Sequence, residues 1–196
     1  MGHTGANPSV EELEQFYQSH EQLWSGQPNS TLVDLVSTLG LTPGTALDIG
    51  CGEGADAAWL AEQGWQVTAI DPAPTAARRT AQRVPQATVK AQYLSECAGS
   101  AGAYDLVCCS YGQLPATDAT LRDLAQVVRP GGILVALHHD LDKLTDEHVA
   151  MPQWLADNLN GWQCVRAGTA QRSVATGAGA HHHDDVYVVL RRPDSA

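Results

Sequence analysis

The stretch TALDIGCGEGADAAWLAEQG, residues 45–64, decides the fold. It opens with an apolar run typical of a short buried strand, passes through Gly50, Gly52 and Gly54, and continues as a helical pattern that Gly64 closes. Glycines at alternate positions allow a tight turn, and they leave backbone N–H groups open to a ligand at the helix start. The stretch therefore predicts a strand, a turn and a helix, with a nucleotide-type site at the turn.

Beyond this stretch, short apolar runs alternate with helical segments, which is typical of a doubly wound α/β fold whose sheet is covered on both faces. Seven strands are predicted, at residues 46–49, 66–70, 88–93, 104–110, 133–138, 163–170 and 185–191. Helices are predicted at residues 55–63, 74–83, 118–128 and 146–160, the last with Pro152 as a kink or a restart. Amphipathic patterns at residues 10–23 and 32–39 predict a helical cap before the first strand.

Length and composition indicate one globular domain. The chain has 196 residues, of which 43% are hydrophobic and 17% charged. This length suits a single core of ordinary size, and the composition excludes disordered and coiled-coil proteins. We therefore expect one domain over residues 1–196, with a helical cap at 1–44 and an α/β core at 45–192.

The charge balance bears on partners and location. Eleven basic residues against 22 acidic ones give a net charge of −11, which repels nucleic acid and anionic lipid. The apolar runs are shorter than the roughly 20 residues of a membrane-spanning helix, and the first residues lack the pattern of a secretory signal. We therefore expect a cytoplasmic protein without nucleic acid or membrane partners.

An acidic residue supports a nucleotide-type ligand. Asp71 lies 21 residues after Gly50, at the end of the second predicted strand, where a carboxylate can accept both hydroxyl protons of a ribose. Taken alone, the glycines could serve the turn only, and Asp71 before Pro72 is also a common turn opener. The spacing Gly50-x-Gly52-x-x-Ala55 also fits a dinucleotide site, so spacing alone leaves NAD(P) open.

Four motifs in a fixed order distinguish between these ligands. They are LDIGCGEGADAAWLAEQG (residues 47–64), VTAIDPAPTAA (67–77), YDLVCCSYGQLP (104–115) and LAQVVRPGGILV (124–135). Over residues 45–192 the chain resembles the class I S-adenosylmethionine-dependent methyltransferases. Asp48 favours this family, because a dinucleotide site usually has an apolar residue there. The resemblance implies a Rossmann-like, mostly parallel sheet whose last strand runs antiparallel beside the fifth.

The resemblance also implies S-adenosylmethionine as the cofactor. The glycines would pack against its methionine end, Asp71 would hold the ribose, and the residues that end the fourth strand would border the sulfonium. The cofactor-binding residues implied in this way are Trp24, Asp48, Gly50, Cys51, Gly52, Gly54, Asp71, Pro72, Ser110 and Tyr111. Where the family often has an Asp for the adenine amine, this chain has residues 92–94, QYL, so the adenine contacts stay open.

The chain also looks like the small bacterial methyltransferases related to tellurite-resistance and thiopurine enzymes, because it is short and its first helical pattern ends in LWSG. In that case the segment at residues 24–29 would cover the cofactor, and Trp24 would form an aromatic wall near a cation. The alternative is that Trp24 attaches the helix to the core.

Two groups of histidines lie where the resemblance brings strand ends together. His138 and His139 follow the fifth predicted strand, and three more, at residues 181–183, precede the last. We hypothesise that they converge on the substrate pocket, and the candidates for a catalytic base are His138, His182 and His183. Solvated loop histidines are the second interpretation. A metal site with nearby aspartates is the third and is not favoured, because no HxH or HExxH spacing is present.

The function predicted from these observations is S-adenosylmethionine-dependent methyl transfer to a small-molecule acceptor, which could be a thiol, a hydroxyl compound or an oxyanion. Methyl transfer needs alignment and a dry site rather than a protein nucleophile. One alternative is an NAD(P)-dependent oxidoreductase that uses the same glycine turn. The other is a domain that binds S-adenosylmethionine without turnover. The sequence leaves the oligomeric state open.

Overall fold

The computed structural model describes residues 9–97, 99, 101–139, 148–171 and 184–194. Seven strands form one sheet in the order β3-β2-β1-β4-β5-β7-β6. The strands are β1 (Thr45–Ile49), β2 (Gln66–Asp71), β3 (Thr88–Ala91), β4 (Tyr104–Ser110), β5 (Val128–His139), β6 (Gln163–Gln171) and β7 (Asp184–Arg191). The helices are α1 (Val10–Gln18), α2 (Ser30–Leu39), α3 (Ala55–Glu62), α4 (Pro74–Arg83), α5 (Asp118–Val127) and α6 (Pro152–Asn158), with a 3₁₀ turn at Leu94–Glu96.

The sheet has the predicted mixed direction. Strands β1 to β5 pair in parallel, and β7 lies antiparallel between β5 and β6. Because the chain turns from β3-β2-β1 to β4-β5, a crevice opens between the carboxyl ends of β1 and β4, which is where ligands bind in open α/β sheets. The predicted Rossmann-like fold class, the antiparallel last strand and the helical element before β1 are confirmed.

The core lies on both faces of the sheet. Alternating side chains of β4 show this, because Cys108 belongs to the cluster with α2 and α3, whereas Cys109 belongs to the cluster with α5 and α6. Both thiols are buried and free. Leu32, at the start of α2, is fully buried in the first of these clusters, so α2 is anchored to the sheet.

Three element boundaries differ from the prediction by five residues or more. Helix α1 ends at Gln18 instead of residue 23, because the Ser19 hydroxyl donates to the Phe16 carbonyl and competes with helical pairing. Strand β5 begins at Val128 instead of residue 133, so the RPGG segment belongs to the strand. Helix α6 begins at Pro152, which is therefore a helix start and not a kink.

The part of the chain that the structure describes contains no helix with the length and apolar character needed to cross a membrane.

Candidate functional site

A cavity of about 410 Å³ opens at the carboxyl edge of the sheet. Its wall combines the turn after β1, the ends of β2 and β4, and the chain between α1 and α2. Eight of the ten residues predicted to bind a cofactor line it: Trp24, Gly50, Cys51, Gly52, Asp71, Pro72, Ser110 and Tyr111. Residues far apart in the sequence therefore meet around one space.

The glycine loop, residues 50–54, forms the floor of the cavity. Gly50, Gly52 and Gly54 have φ values of 72°, 54° and 77°, a left-handed conformation that favours glycine. The Thr80 hydroxyl donates to the Gly52 carbonyl at 2.9 Å and holds the loop against α4. Burial raises the pKa of the Cys51 thiol well above its usual value, so this side chain is neutral at physiological pH.

Gly54 does not line the cavity and has a packing role instead. A Cβ at this position would lie 2.9 Å from two Thr80 side-chain atoms and 3.1 Å from the Thr80 Cα. The backbone of the loop can approach α4 this closely because Gly54 has no side chain.

Asp48 also lies behind the cavity wall. It is buried, and its carboxylate accepts the N–H of Ala57 in the first turn of α3. Burial, together with the charges of Asp56 and Asp71, raises its pKa well above the usual value. Its Oδ2 has no hydrogen-bond partner among the described residues. Asp48 therefore supports the helix start under the glycine loop and does not face the predicted ligand.

Asp71 is the acidic group that the cavity presents at the end of β2. Its two oxygens accept the N–H groups of Gly52 and Ala73 at 3.0 and 2.9 Å. Burial raises its pKa to about 6, although these two hydrogen bonds act in the opposite direction. Each carboxylate oxygen can accept a further hydrogen bond, so Asp71 can hold a pair of hydroxyl groups.

The chain between α1 and α2 covers the cavity and is tied to the glycine loop by Glu53. The Glu53 carboxylate accepts the N–H groups of Leu23 and Trp24 at 3.0 Å and pairs with Arg79 at 2.7 Å. The Arg79 guanidinium also donates to the His20 carbonyl at 2.6 Å. Sequence reasoning missed Glu53, although an acidic residue inside a glycine-rich turn was a visible signal.

Trp24 lines the cavity and is 36% exposed. Its indole N–H donates to the Tyr17 hydroxyl at 3.4 Å. A side chain so exposed is not part of the hydrophobic core, so the position of Trp24 favours the wall interpretation over the core attachment.

At the opposite end of the cavity, polar side chains surround Asp185, the second residue of β7. This Asp185 cluster consists of Asn29, Thr31, Tyr111, His139 and Asp185. The hydroxyls of Tyr111 and Thr31 donate to the Asp185 carboxylate at 2.8 and 3.0 Å. Burial alone would raise the pKa of Asp185, but the nearby His139 ring and the hydrogen bonds from Tyr111, Thr31 and Asn29 outweigh it and hold the pKa below its usual value.

His139, not His138, lies at the cavity wall. The His139 ring stacks on Tyr111 with centroids 4.1 Å apart, and its Nδ1 lies 3.7 Å from an Asp185 oxygen. His138 contacts the edges of the same two rings and does not line the cavity. The prediction named His138, whereas the structure places its neighbour His139 at the wall, because neighbouring strand residues point to opposite faces. A catalytic role for His138 stays a prediction.

The other two candidate bases, His182 and His183, lie outside the described residues, so the convergence of the two histidine groups stays a prediction. Among the residues that the structure describes, no group of three His, Cys, Asp or Glu is arranged to hold a metal ion. Gln92, Tyr93 and Leu94 line the cavity at the end of β3, where the adenine contacts were left open.

Comparison with known proteins agrees with this geometry. The family model described as a methyltransferase domain matches residues 17–180. The chain therefore belongs to the methyltransferase domain family, as the sequence motifs predicted.

Individual relatives give the same class. An uncharacterized methyltransferase of Synechocystis sp. is 31% identical over 137 residues, which cover 66% of this chain and 65% of the relative. A ubiquinone biosynthesis O-methyltransferase of Xanthomonas oryzae pv. oryzae is 32% identical over 114 residues, 54% of this chain and 48% of the relative. The matches thus span less than two thirds of these relatives.

Among solved structures, the N-methyltransferase NodS from Bradyrhizobium japonicum, in complex with S-adenosylhomocysteine, is similar with a TM-score of 0.73. The two are 21% identical, and the similarity covers 95% of this chain and all of the other. At this identity the similarity concerns the fold.

Proposed function

We propose that the protein transfers the methyl group of S-adenosylmethionine to a small-molecule acceptor. One observation carries the proposal: in a chain of the methyltransferase domain family, the glycine loop, Asp71 and the end of β4 line the same cavity. When bound, S-adenosylmethionine supplies a methyl group that its sulfonium activates for in-line displacement. The protein's task is to align the partners and exclude water.

The cavity fits this cofactor at several points. Asp71 has hydrogen-bonding capacity for two ribose hydroxyls, and Gly50, Cys51 and Gly52 offer bare backbone to the methionine end. The Ser110 hydroxyl is buried and has no hydrogen-bond partner among the described residues, so it is placed to contact a ligand. Tyr111 would border the sulfonium beside it.

The remaining predicted residues have supporting roles in this proposal. Pro72 would shape the turn next to the ribose, and Trp24 would cover the cofactor from the opposite side. Asp48 and Gly54 would hold the glycine loop in shape from behind the wall. Tyr93 would lie beside the adenine.

Acceptor, partners and location follow as part of the same proposal. The acceptor is a thiol, a hydroxyl compound or an oxyanion, and the name of the Xanthomonas relative favours a hydroxyl. The narrower likeness to tellurite-resistance and thiopurine enzymes stays a prediction, as do a single domain over residues 1–196, the absence of nucleic acid partners and a cytoplasmic location. The net charge of −11 supports the exclusion of nucleic acid.

Thermal unfolding with added ligands tests the cofactor. A ligand that binds the folded state raises the midpoint, and at a concentration of a hundred times Kd it contributes about 2.7 kcal/mol. We expect S-adenosylhomocysteine and S-adenosylmethionine to raise the midpoint and NADH to leave it unchanged. Asp71→Ala should abolish the rise, whereas Asp34→Ala, at an exposed position of α2, should keep it.

The outcomes separate the alternatives. A rise with NADH alone would replace the proposal with an oxidoreductase. A rise with both methyl-donor ligands, but no transfer of labelled methyl to phenols, thiols, thiopurines or tellurite, would favour a domain that binds the cofactor without turnover.

A further inference from the structure

The charges around the cavity restrict the acceptor. Asp56 and Asp71 line it, as does Glu53, whose charge is paired with Arg79 behind the wall, and no Lys or Arg is among its described lining residues. Such a wall suits the positive sulfonium and repels an anion from the acceptor's place. An acceptor that enters this cavity is therefore neutral, which disfavours an oxyanion.

The rim of the cavity is apolar. Four large hydrophobic side chains are exposed in the described part of the chain, and Phe16, Trp24 and Tyr93 are three of them. All three line this cavity. Exposed aromatic residues gathered around one opening are typical of a site for an apolar or aromatic ligand. The proposed function assigns Trp24 and Tyr93 to the cofactor, which leaves Phe16 and the Tyr111 ring beside His139 for the acceptor.

The wall also contains a side chain suited to proton transfer. His139 is the histidine among the described lining residues, and a neutral imidazole accepts protons near physiological pH. Its neighbour across the sheet is Asp185, since the register pairs these two residues directly. Tyr111 stacks on the ring and also donates to Asp185, so the plane of the imidazole and the position of the carboxylate are both held.

We propose that His139 is the catalytic base of the proposed methyl transfer, and that the acceptor is a neutral hydroxyl compound of the phenol class. The inference rests on the proposed function. In this proposal the proton stays on Nδ1, which lies 3.7 Å from an Asp185 oxygen, and Nε2 is the atom that takes the proton of the acceptor. The titratable groups that face the ring are Asp185 from β7, Tyr111 after β4 and His138 on its own strand.

The step balances as follows. The O–H bond of the acceptor breaks and its proton passes to Nε2 of His139. The oxygen electron pair forms the bond to the methyl carbon, while the carbon–sulfur bond breaks and leaves its pair on sulfur as S-adenosylhomocysteine. The positive charge thus moves from the sulfonium to the imidazolium, where the Asp185 carboxylate stabilises it, and the proton is later released to water.

The first test uses the full protein without cofactor or acceptor. Long-range ¹⁵N–¹H NMR at neutral pH shows which ring nitrogen of His139 carries the proton, and loss of the signals in His139→Gln assigns them. His20→Gln, at an exposed position, is the assignment control. We expect the proton on Nδ1 and a bare Nε2, and a changed tautomer balance in Asp185→Asn. A proton on Nε2, alone or on both nitrogens, overturns the proposal.

The second test compares wild type, His139→Gln and the control His20→Gln on phenols of graded acidity. General base catalysis contributes roughly 10²–10⁴-fold, so kcat of His139→Gln should fall by about that factor with weakly acidic phenols. With more acidic phenols that are still neutral in the assay buffer, the fall should become smaller as acidity increases, and KM should change little. An equal fall with every phenol would assign His139 a positioning role and overturn the proposal.

Failure of the proposed function would look different. Wild-type protein would then show no thermal shift with S-adenosylhomocysteine and no methylated product. If only the base assignment failed, the cofactor would still bind. The failure would appear as a proton on Nε2 of His139 or as an equal fall in kcat with every phenol.

Discussion

At one end of the cavity, the glycine loop and Asp71 lie within residues 50–71, joined by one strand–helix–strand unit. At the other end, the Asp185 cluster joins residues as far apart as Asn29 and Asp185, 156 positions along the chain. The first end is local and shaped by backbone conformation. The second depends on long-range side-chain hydrogen bonds, so the two ends should respond differently to mutation and to pH.

The carboxylates at the two ends also differ in their hydrogen bonds. Asp71 receives two backbone N–H groups, and burial raises its pKa to about 6. Asp185 receives hydrogen bonds from hydroxyl and amide groups and lies 3.7 Å from the His139 ring, and its pKa is lowered despite burial. A carboxylate that receives few hydrogen bonds from the protein is suited to bind a ligand. A carboxylate that receives many from side chains is suited to position those side chains.

The largest effect is expected where the backbone of the glycine loop meets α4. Gly54→Ala combines a left-handed φ of 77° with a Cβ that clashes with Thr80, so unfolding free energy should fall by roughly 3–4 kcal/mol. Gly40→Ala is the matched control, because φ is 61° but no atom lies within 4 Å of the added Cβ. Its cost should be about 1–2 kcal/mol. Urea unfolding measures both, and equal losses would contradict the packing role of Gly54.

Asp185→Ala should damage the long-range end and spare the other. The substitution removes a buried acceptor and leaves the Thr31 and Tyr111 hydroxyls without it, which should cost about 3 kcal/mol of unfolding free energy. Because Asp71 is in a different part of the wall, the Kd for S-adenosylhomocysteine should change less than threefold. Urea unfolding and calorimetry give the two numbers, and a large loss of affinity would show that the ends are coupled.

The pKa of Asp71 gives the cofactor end its own pH dependence. A hydroxyl pair binds the ionised carboxylate, so affinity for S-adenosylhomocysteine should level off about one pH unit above the Asp71 pKa of about 6 and weaken below it, by at most tenfold per pH unit. Calorimetry from about pH 4.5 to about pH 8, a range that brackets the raised pKa, measures this affinity. Asp71→Asn should bind weakly with no such slope. A slope that survives in Asp71→Asn would assign it to another group.

The two carboxylates should also act on stability in opposite directions. The raised pKa of Asp71 means that its contribution is present below its usual value of 3.8 and is lost as pH rises through about 6. Asp185, with a lowered pKa, contributes above 3.8 and loses this contribution as pH falls through its folded value. The difference in unfolding free energy between wild type and each variant should therefore change with pH in opposite directions for Asp71→Asn and Asp185→Asn. The same pH trend in both variants would contradict the assignment.

The smallest effect is expected at the covering segment. Glu53→Gln removes the charge that pairs with Arg79 and weakens two backbone contacts, so we expect a loss of about 1 kcal/mol. Amide hydrogen exchange at Leu23 and Trp24 should quicken, while the core strands stay unchanged. Glu62→Gln, at an exposed position at the end of α3, serves as the control and should change neither. Unchanged exchange at Trp24 would show that the segment is held by other contacts.

Local patterns predicted the strands and the glycine turn well, because alternation and glycine placement express backbone sterics within a few residues. They failed at two boundaries, one decided by a local side-chain hydrogen bond and the other by pairing between strands. The end of α1 depended on a competing Ser19 hydroxyl, and the start of β5 on pairing with β4.

The same difference runs through the site. The sequence alone determined the α/β class, the glycine loop, the acid at Asp71 and membership of the methyltransferase domain family, because these depend on residues close together in the chain. Only the tertiary structure decided that Asp48 and Gly54 lie behind the wall, that Glu53 holds the covering segment, and that His139 faces Asp185. Those facts depend on strand register and side-chain direction, and a shift of one residue reverses the direction.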